Sequence, residues 1–196
     1  MAKDSRALIL DLAIAAIDTG GEAAVRVNDI VAEVGVTPPV LYYHFGSRDG
    51  LVIAAQVARY SRRTFEDITT IGKAVAKCQS SDELRTALIG IWTQSLAGRG
   101  RNRWVRTNAF GSAYARPELE AAVAQAQDDI VAELCKILEP CVEKGWLRPG
   151  IDLVSTVAWH HSVLIGRVYI ERGQMNVDSA EWDRLTLEAL EHAFFG

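Results

Sequence analysis

The chain has 196 residues, 49% of them hydrophobic and 23% charged, with a formal net charge of −4 and a pI near 5.6. That composition excludes a disordered or collagen-like chain, and the length suffices to bury a core without staples. No stretch approaches the ~18 uninterrupted apolar residues of a membrane span, and Cys78, Cys135 and Cys141 are too few and scattered for a disulfide framework. Lys3 and Arg6 ahead of Leu8-Ile9-Leu10 briefly resemble a secretory signal, but Asp11 breaks the run and no small-residue cleavage pattern follows. A reduced, cytoplasmic protein is expected. The acidity is uneven: residues 1–63 hold seven Lys/Arg against seven Asp/Glu, and the rest hold 14 against 18. A polyanion would prefer the N-terminal part.

Apolar residues recur at helical spacing, and no useful stretch alternates as a strand does. An all-α fold of about nine helices is predicted, over roughly 4–19, 27–34, 38–45, 47–68, 81–98, 101–114, 117–145, 152–172 and 179–195. Residues 69–80 either extend the fourth helix or form a loop. Val27, Ile30, Val31 and Val34 make the inner face of the second helix, which Gly35 stops by taking a left-handed conformation. Thr37 is placed to cap the third, with Pro38 and Pro39 in its first turn. Leu41 and Phe45 pin that helix to the core, Tyr42, Tyr43 and His44 distribute around it, and Ser47 caps the fourth.

Further along, Leu119, Val123, Ala126, Ile130, Leu134, Ile137 and Cys141 form one stripe on a long helix that starts near Pro117 and ends at Gly145. Asp152 is the expected cap of the next. That helix carries two stripes, Val154, Val157, Ala158, His161, Ile165 and Val168 on one face and Trp159, Val163, Gly166 and Ile170 on another. The last helix repeats the pattern, with Trp182, Leu185, Ala189 and Ala193 opposite Leu187, Leu190 and Phe194. A helix apolar on two faces must meet something besides its own core.

Two short helices joined by a three-residue turn with Gly35 make a helix-turn-helix, whose second member enters the major groove. Gly35-Val36-Thr37, Leu41-Tyr42-Tyr43-His44-Phe45, Ser47-Arg48-Asp49 and Leu51 together resemble the N-terminal DNA-binding domain of the TetR family of transcriptional regulators. The resemblance is dense over about residues 5–55. Residues Lys144 to Asp152 are similar to the weaker link that precedes the last two helices of such proteins. The resemblance implies a helix-turn-helix domain over 1–46 and a ligand-binding and dimerisation domain over 47–196. The partners it implies are double-stranded operator DNA, a second copy of the chain, and a small-molecule effector of apolar or anionic character. No cofactor and no membrane are implied.

The same resemblance implies phosphate contacts from Thr37 and the start of its helix, the Tyr42 hydroxyl, a His44 ring nitrogen and Arg48. Tyr43 falls where the family places a variable base or backbone contact, and Asn28 joins the DNA-facing set. Two positions depart from the family pattern. Arg26 stands where Thr or Ser is usual, and Pro38-Pro39-Val40 offer no side-chain hydrogen bond to a base. Base reading is then expected to rest on thymine methyls, Tyr43 and DNA shape.

The candidate effector pocket comprises Trp92, Gln94, Trp104, Asn108, Phe110, Tyr114, Trp159 and His161, with Thr107 among them; singly, the aromatics are equally readable as core. His160 and His161 are neighbours on a helix and point about 100° apart, so they do not chelate one metal ion as an i, i+4 pair can. His161 is read as a hydrogen-bonded core or interface residue, with ligand contact as the alternative. Arg99, Arg103 and Arg106, with Arg101 beside them, form either a solvated face or a mouth for an anionic effector such as a carboxylate or a coenzyme A ester. No Gly-x-Ser-x-Gly, phosphate-binding glycine loop or His-Glu-x-x-His is present, so no catalytic residue is assigned. The expected function is sequence-specific transcriptional regulation, by a repressor that a small molecule releases from its operator. The alternatives are an all-α small-molecule-binding protein or enzyme that keeps the helix-turn-helix as scaffold, and a DNA-binding protein whose core is full.

Overall fold

The computed structural model describes residues 4–98, 100–174 and 176–196. Among them the chain is all-α and holds no strand. The helices are α1 (Ser5–Gly20), α2 (Val27–Val34), α3 (Pro38–Phe45), α4 (Arg48–Val75), α5 (Ser81–Gly98), α6 (Gly100–Ser112), α7 (Pro117–Glu143), α8 (Leu153–Gly166), α9 (Val168–Arg172) and α10 (Ser179–Phe195), with a short 3₁₀ turn at Glu22–Ala24. Residues 69–75 extend α4, and the chain turns after them. The helix expected over 152–172 breaks at Arg167, beside the poor helix former Gly166. By contacts the chain divides into two compact units: the part up to Arg62 with Ala109–Ala126, and Arg63–Asn108 with Gln127–Gly196. Residues 47–62 and 109–126 thus go with the N-terminal unit.

The first unit packs Ile9, Ala13 and Ile17 of α1 against Ile30 and Val31 of α2, Leu41 of α3, and Leu51, Val52 and Ala55 of α4. Its turns follow from local chemistry. Gly35 takes φ 77° and ψ 32°, which lets Val36 N–H donate to the Val31 carbonyl at 2.9 Å and close α2. Ser47 Oγ accepts from Gly50 N–H at 2.9 Å, capping α4 as expected. Gly50 itself is required by space, since a Cβ there would lie 2.0 Å from the Phe45 carbonyl oxygen.

The cap of α3 differs from expectation. Thr37 has the extended N-cap backbone, but its side chain makes no capping bond. Pro38 and Pro39 carry no N–H, so the first donor after Thr37 belongs to Val40, and it is spent on the Thr37 carbonyl at 3.0 Å. With nothing left to cap, the threonine hydroxyl has no local partner to find.

In the second unit α5 buries Leu84, Leu88, Trp92 and Leu96, and α7 buries Ile130, Leu134 and Leu138. The α7 stripe therefore ends through Leu138 rather than Ile137, which is half-buried beside Gly72. Asp152 caps α8 by accepting from Ser155 N–H at 3.1 Å. Gly145 is left-handed, and Trp146 N–H donates to Cys141 across it. The link after it is tied down at the end of α10, where Arg148 donates to the carbonyls of Phe194 and Ala193. On α8 the buried face is Thr156, Val157, His160 and His161, so Val154 is exposed and does not continue the core stripe. On α10 Thr186, Leu190 and Phe194 face in, while Leu185 is 53% exposed.

Candidate nucleic-acid interface and internal cavity

Helix α3 presents its chemistry on the side opposite Leu41. Tyr43 is 86% exposed, Tyr42 and Pro39 are exposed beside it, and Thr37 is exposed at the start of the helix. Arg26 and Asn28, at the start of α2, are exposed as well, while Pro38 is half-buried. Arg26 occupies the N-cap position of α2 without a side-chain capping bond. The paired prolines remove the backbone donors with which a helix start binds phosphate, leaving side chains and the helix dipole.

Two expected phosphate ligands have internal duties. His44 is half-buried, with Nε2 3.2 Å from Ser5 Oγ. Arg48 donates from Nε to the Val25 carbonyl at 2.9 Å and from Nη2 to the Glu22 carbonyl at 2.5 Å. A further cluster in this unit joins residues far apart in the chain, which spacing does not reveal. The Glu22 carboxylate accepts from Gln56 Nε2 at 2.7 Å and from Arg116 Nη1 at 2.7 and 2.8 Å.

The second unit contains two adjoining cavities, of about 50 and 80 Å³, which share Ile71, Ser95, Leu134, His160 and Leu164 as walls. The smaller is closed by Leu88, Trp92, Leu138, Val157 and Phe194. The larger adds Thr64, Asp67, Asn102, Arg103, Arg106 and His161. Of the expected pocket residues, the structure brings Trp92 and His161 to these cavities. Gln94, Trp104, Asn108, Phe110, Tyr114 and Trp159 are exposed instead. Helical phase explains the miss: α6 turns Arg103, Arg106 and Ala109 inward, which points Trp104, Asn108 and Phe110 out.

The α6 arginines are not a solvated face. Arg103 and Arg106 are 5% and 4% exposed, Arg101 is exposed, and Arg99 lies outside the described residues. Arg103 is fully engaged: it donates to the Ser95 and Leu96 carbonyls at the end of α5, and it pairs with Glu171. Arg167 bridges Glu171 and Asp183 at 2.6 Å each. Burial pushes the Glu171 carboxyl up, but the hydrogen bonds and charges of Arg103 and Arg167 outweigh it and hold the group below its ordinary value. Arg106 donates to His161 Nε2 at 2.5 Å and to Gln127 Oε1 at 3.4 Å.

His160 lies off the apolar stripe that its neighbour His161 continues, so spacing does not mark it. It is 9% exposed and lies with Trp92 and Phe194, ring centroids 5.8 Å from each. Burial pushes its pKa down to about 4. Burial, then the Arg106 charge, then His160 hold His161 well below 6.5. Both imidazoles are therefore neutral near pH 7. Among the described residues no group of His, Cys, Asp and Glu is arranged to hold a metal ion, and no helix is long and apolar enough to cross a membrane.

An N-terminal helix-turn-helix with exposed tyrosines on its second helix has the form of a DNA-reading module. Residues 9–55 match the family of bacterial regulatory proteins, tetR family. Three solved structures share the fold. A protein of Mesorhizobium loti, assigned as a TetR-family transcriptional regulator, is 15% identical with a TM-score of 0.74, covering 98% of this chain and 97% of its own. A Saccharomonospora viridis transcriptional regulator, solved with choline, is 17% identical with a TM-score of 0.64 and 97% of each chain covered. The ketosteroid transcriptional regulator KstR2 of Mycobacterium tuberculosis is 16% identical with a TM-score of 0.52, covering 99% of this chain and 96% of its own. No curated protein matches the chain in sequence. Residues 9–55 are thus similar to the DNA-binding domain of the TetR family, and the chain shares the fold of these solved structures.

Proposed function

We propose that the protein is a homodimeric repressor that binds an operator sequence-specifically and is released by a small molecule held in the cavity of the second unit. The observation that carries this reading is the continuity of α4. One uninterrupted helix places Leu51, Val52 and Ala55 in the core of the first unit and Ile68 and Ile71 on the walls of the cavity. A guest that favours one position of α4 biases the recognition helix by its differential affinity for the two states, and a few kcal/mol of coupling is about what such systems use. Dimerisation is supported by the apolar side chains that α8 and α10 leave exposed, Val154, Trp159 and Leu185, on helices whose other faces are buried. A two-fold axis then sets the recognition helices about one groove repeat apart, ~34–36 Å or a multiple of it.

In this reading Tyr43 and Tyr42, with Arg26, Asn28 and Thr37, face the DNA. Pro39 and Val40 offer methylene and methyl contact in place of hydrogen bonds. His44 and Arg48 hold the domain's shape while remaining at its edge. One observation favours the rival reading of a ligand-binding protein or enzyme with an inert helix-turn-helix: the Pro38-Pro39 start of α3 has no free N–H for phosphate.

Binding of the purified protein to the intergenic DNA upstream of its own gene, at two salt concentrations and against scrambled competitor, separates the two. Salt-sensitive binding that survives the competitor supports the regulator, and compounds that abolish it are its effectors. A protein that ligands stabilise against heat while it binds no DNA, including DNA from a random-library selection, supports the rival.

A further inference from the structure

The two adjoining cavities join an aromatic, apolar chamber to a buried imidazole nitrogen. His160 is 9% exposed and forms part of both walls, and its Nε2 is buried with no hydrogen-bond partner among the described residues. A buried imidazole nitrogen left unpaired has lost its water without a replacement, and natural cores seldom leave such an atom without a purpose. The chamber beside it is walled by Leu88, Trp92, Leu138, Val157 and Phe194, and the rings of Trp92, Phe194 and His160 lie 5.3–5.8 Å apart. The two spaces together approach the ~150 Å³ of a dry, engineered cavity that holds benzene.

The charges on the wall narrow the guest further. Arg103 and Arg106 stand on the larger cavity, so an ammonium head is repelled. Asp67 stands there too, paired with Arg63, and Arg103 is paired with Glu171, so a carboxylate would have to give up its hydration for Arg106, whose Nη1 and Nη2 already serve His161 and Gln127. A hydroxyl meets neither obstacle. It donates to His160 Nε2 if that nitrogen carries the lone pair and accepts from it if it carries the proton, so it suits either tautomer.

We propose that this cavity binds a small neutral aromatic alcohol of the phenol type, its ring among Trp92, Leu138, Val157 and Phe194 and its hydroxyl on His160 Nε2. A phenol keeps its proton near pH 7, as a tyrosine side chain does. Its regulatory consequence rests on the effector role proposed above; its binding does not.

The test is calorimetry and thermal shift on the full chain with phenol, benzene, benzoate and benzylammonium. Phenol binds and raises the Tm, benzene binds about tenfold more weakly for want of the hydrogen bond, and the two ions do not bind. His160→Phe brings phenol down to the level of benzene, and His160→Gln keeps the preference for phenol. If His160→Phe fails to fold, which the Tm of the unliganded variant reveals, the phenol-to-benzene ratio of the unaltered protein decides alone. Benzoate binding more tightly than phenol overturns the assignment in favour of an anion site at Arg106. Equal binding of phenol and benzene, or no binding of any probe, also overturns it. Phenol binding that leaves operator DNA in place upholds the assignment and overturns the effector role. Release of DNA by another compound, with no binding of phenol, does the reverse.

Discussion

Arg48, in the first turn of α4, donates its Nε to the carbonyl of buried Val25 at 2.9 Å, and through Nη2 it also holds the Glu22 carbonyl. The connection between α1 and α2 has no long helix of its own to satisfy those carbonyls, so the guanidinium serves as its strut. Arg48→Ala is expected to cost about 1–2 kcal/mol of stability in a urea titration, the range for losing charge-assisted bonds at a half-exposed site. The salt slope of DNA binding is expected to fall by less than the ~0.9 unit of one full phosphate contact. A full-unit drop at unchanged stability would make Arg48 a phosphate ligand instead.

Tyr43 offers the opposite profile. Its side chain is 86% exposed and touches the protein through an edge-on ring contact with His44, centroids 5.3 Å apart. Tyr43→Ala is expected to leave stability within about 0.5 kcal/mol, as surface changes do, and to weaken operator binding roughly tenfold. Tyr42→Phe isolates the hydroxyl, and a loss there of about 1 kcal/mol in DNA affinity identifies a hydrogen bond to the backbone of the duplex. Unchanged affinity in both variants would remove α3 from the interface.

The contrast between these residues and the cavity shows where the sequence was legible. Gly35 and Ser47 act through neighbours within five residues, and Leu41 lies one turn before Phe45, so spacing alone marks the turn, the cap and the buried face. Helix α6 defeated the same logic. The rule that aromatic residues face in and charges face out put Trp104 and Phe110 in the pocket, but Arg103 is matched by Glu171, 68 residues away, and by the end of α5. Once the arginines can be buried, phase forces the aromatics out. His160 was hidden for a related reason, because its packing partners Trp92 and Phe194 belong to α5 and α10, and nothing local marks the meeting of three helices.

Pro39 provides a test of how α3 meets phosphate. Pro39→Ala restores a backbone N–H in the first turn of the helix, where the orphaned donors of a helix start bind anions. DNA affinity is expected to rise several-fold with an unchanged salt slope, because a neutral donor releases no counterion. Stability is expected to fall by about 0.4–1 kcal/mol through the freer unfolded chain. Fluorescence anisotropy at two salt concentrations checks the first, and an unaltered affinity would turn the start of α3 away from the DNA.

The exposed side of α10 makes a prediction about assembly. Leu185 is 53% exposed, and Ala189, one turn on, is exposed on the same side, about a quarter turn from buried Thr186 and Leu190. Leu185→Arg removes no core packing, so the helical signal and the monomer's compactness persist. Sedimentation is expected to show the dimer weakened at least tenfold, and operator binding to fall with it, since half-sites are then read singly. A variant that remains dimeric would move the interface off α10.

The buried histidines set the behaviour in acid. His160 titrates near 4 in the fold, and an unfolded chain binds its proton near 6.5. Between those values the unfolded state holds the extra proton, so stability falls as pH falls from 6.5 to about 4 and then levels for this group. The loss is on the order of 3 kcal/mol from His160, and His161, depressed by the same burial and by Arg106, adds to it in the same direction. Glu171, held by Arg103 and Arg167, stays ionised below its ordinary range, so its contribution is lost only at lower pH. Urea titrations at pH 7.5, 6, 5 and 4 are expected to show stability declining across that window. His160→Phe is expected to flatten the decline by the slope of about one proton. An equal decline in the variant would mean that His160 is solvated in acid without unfolding, and that the cavity admits water together with the proton.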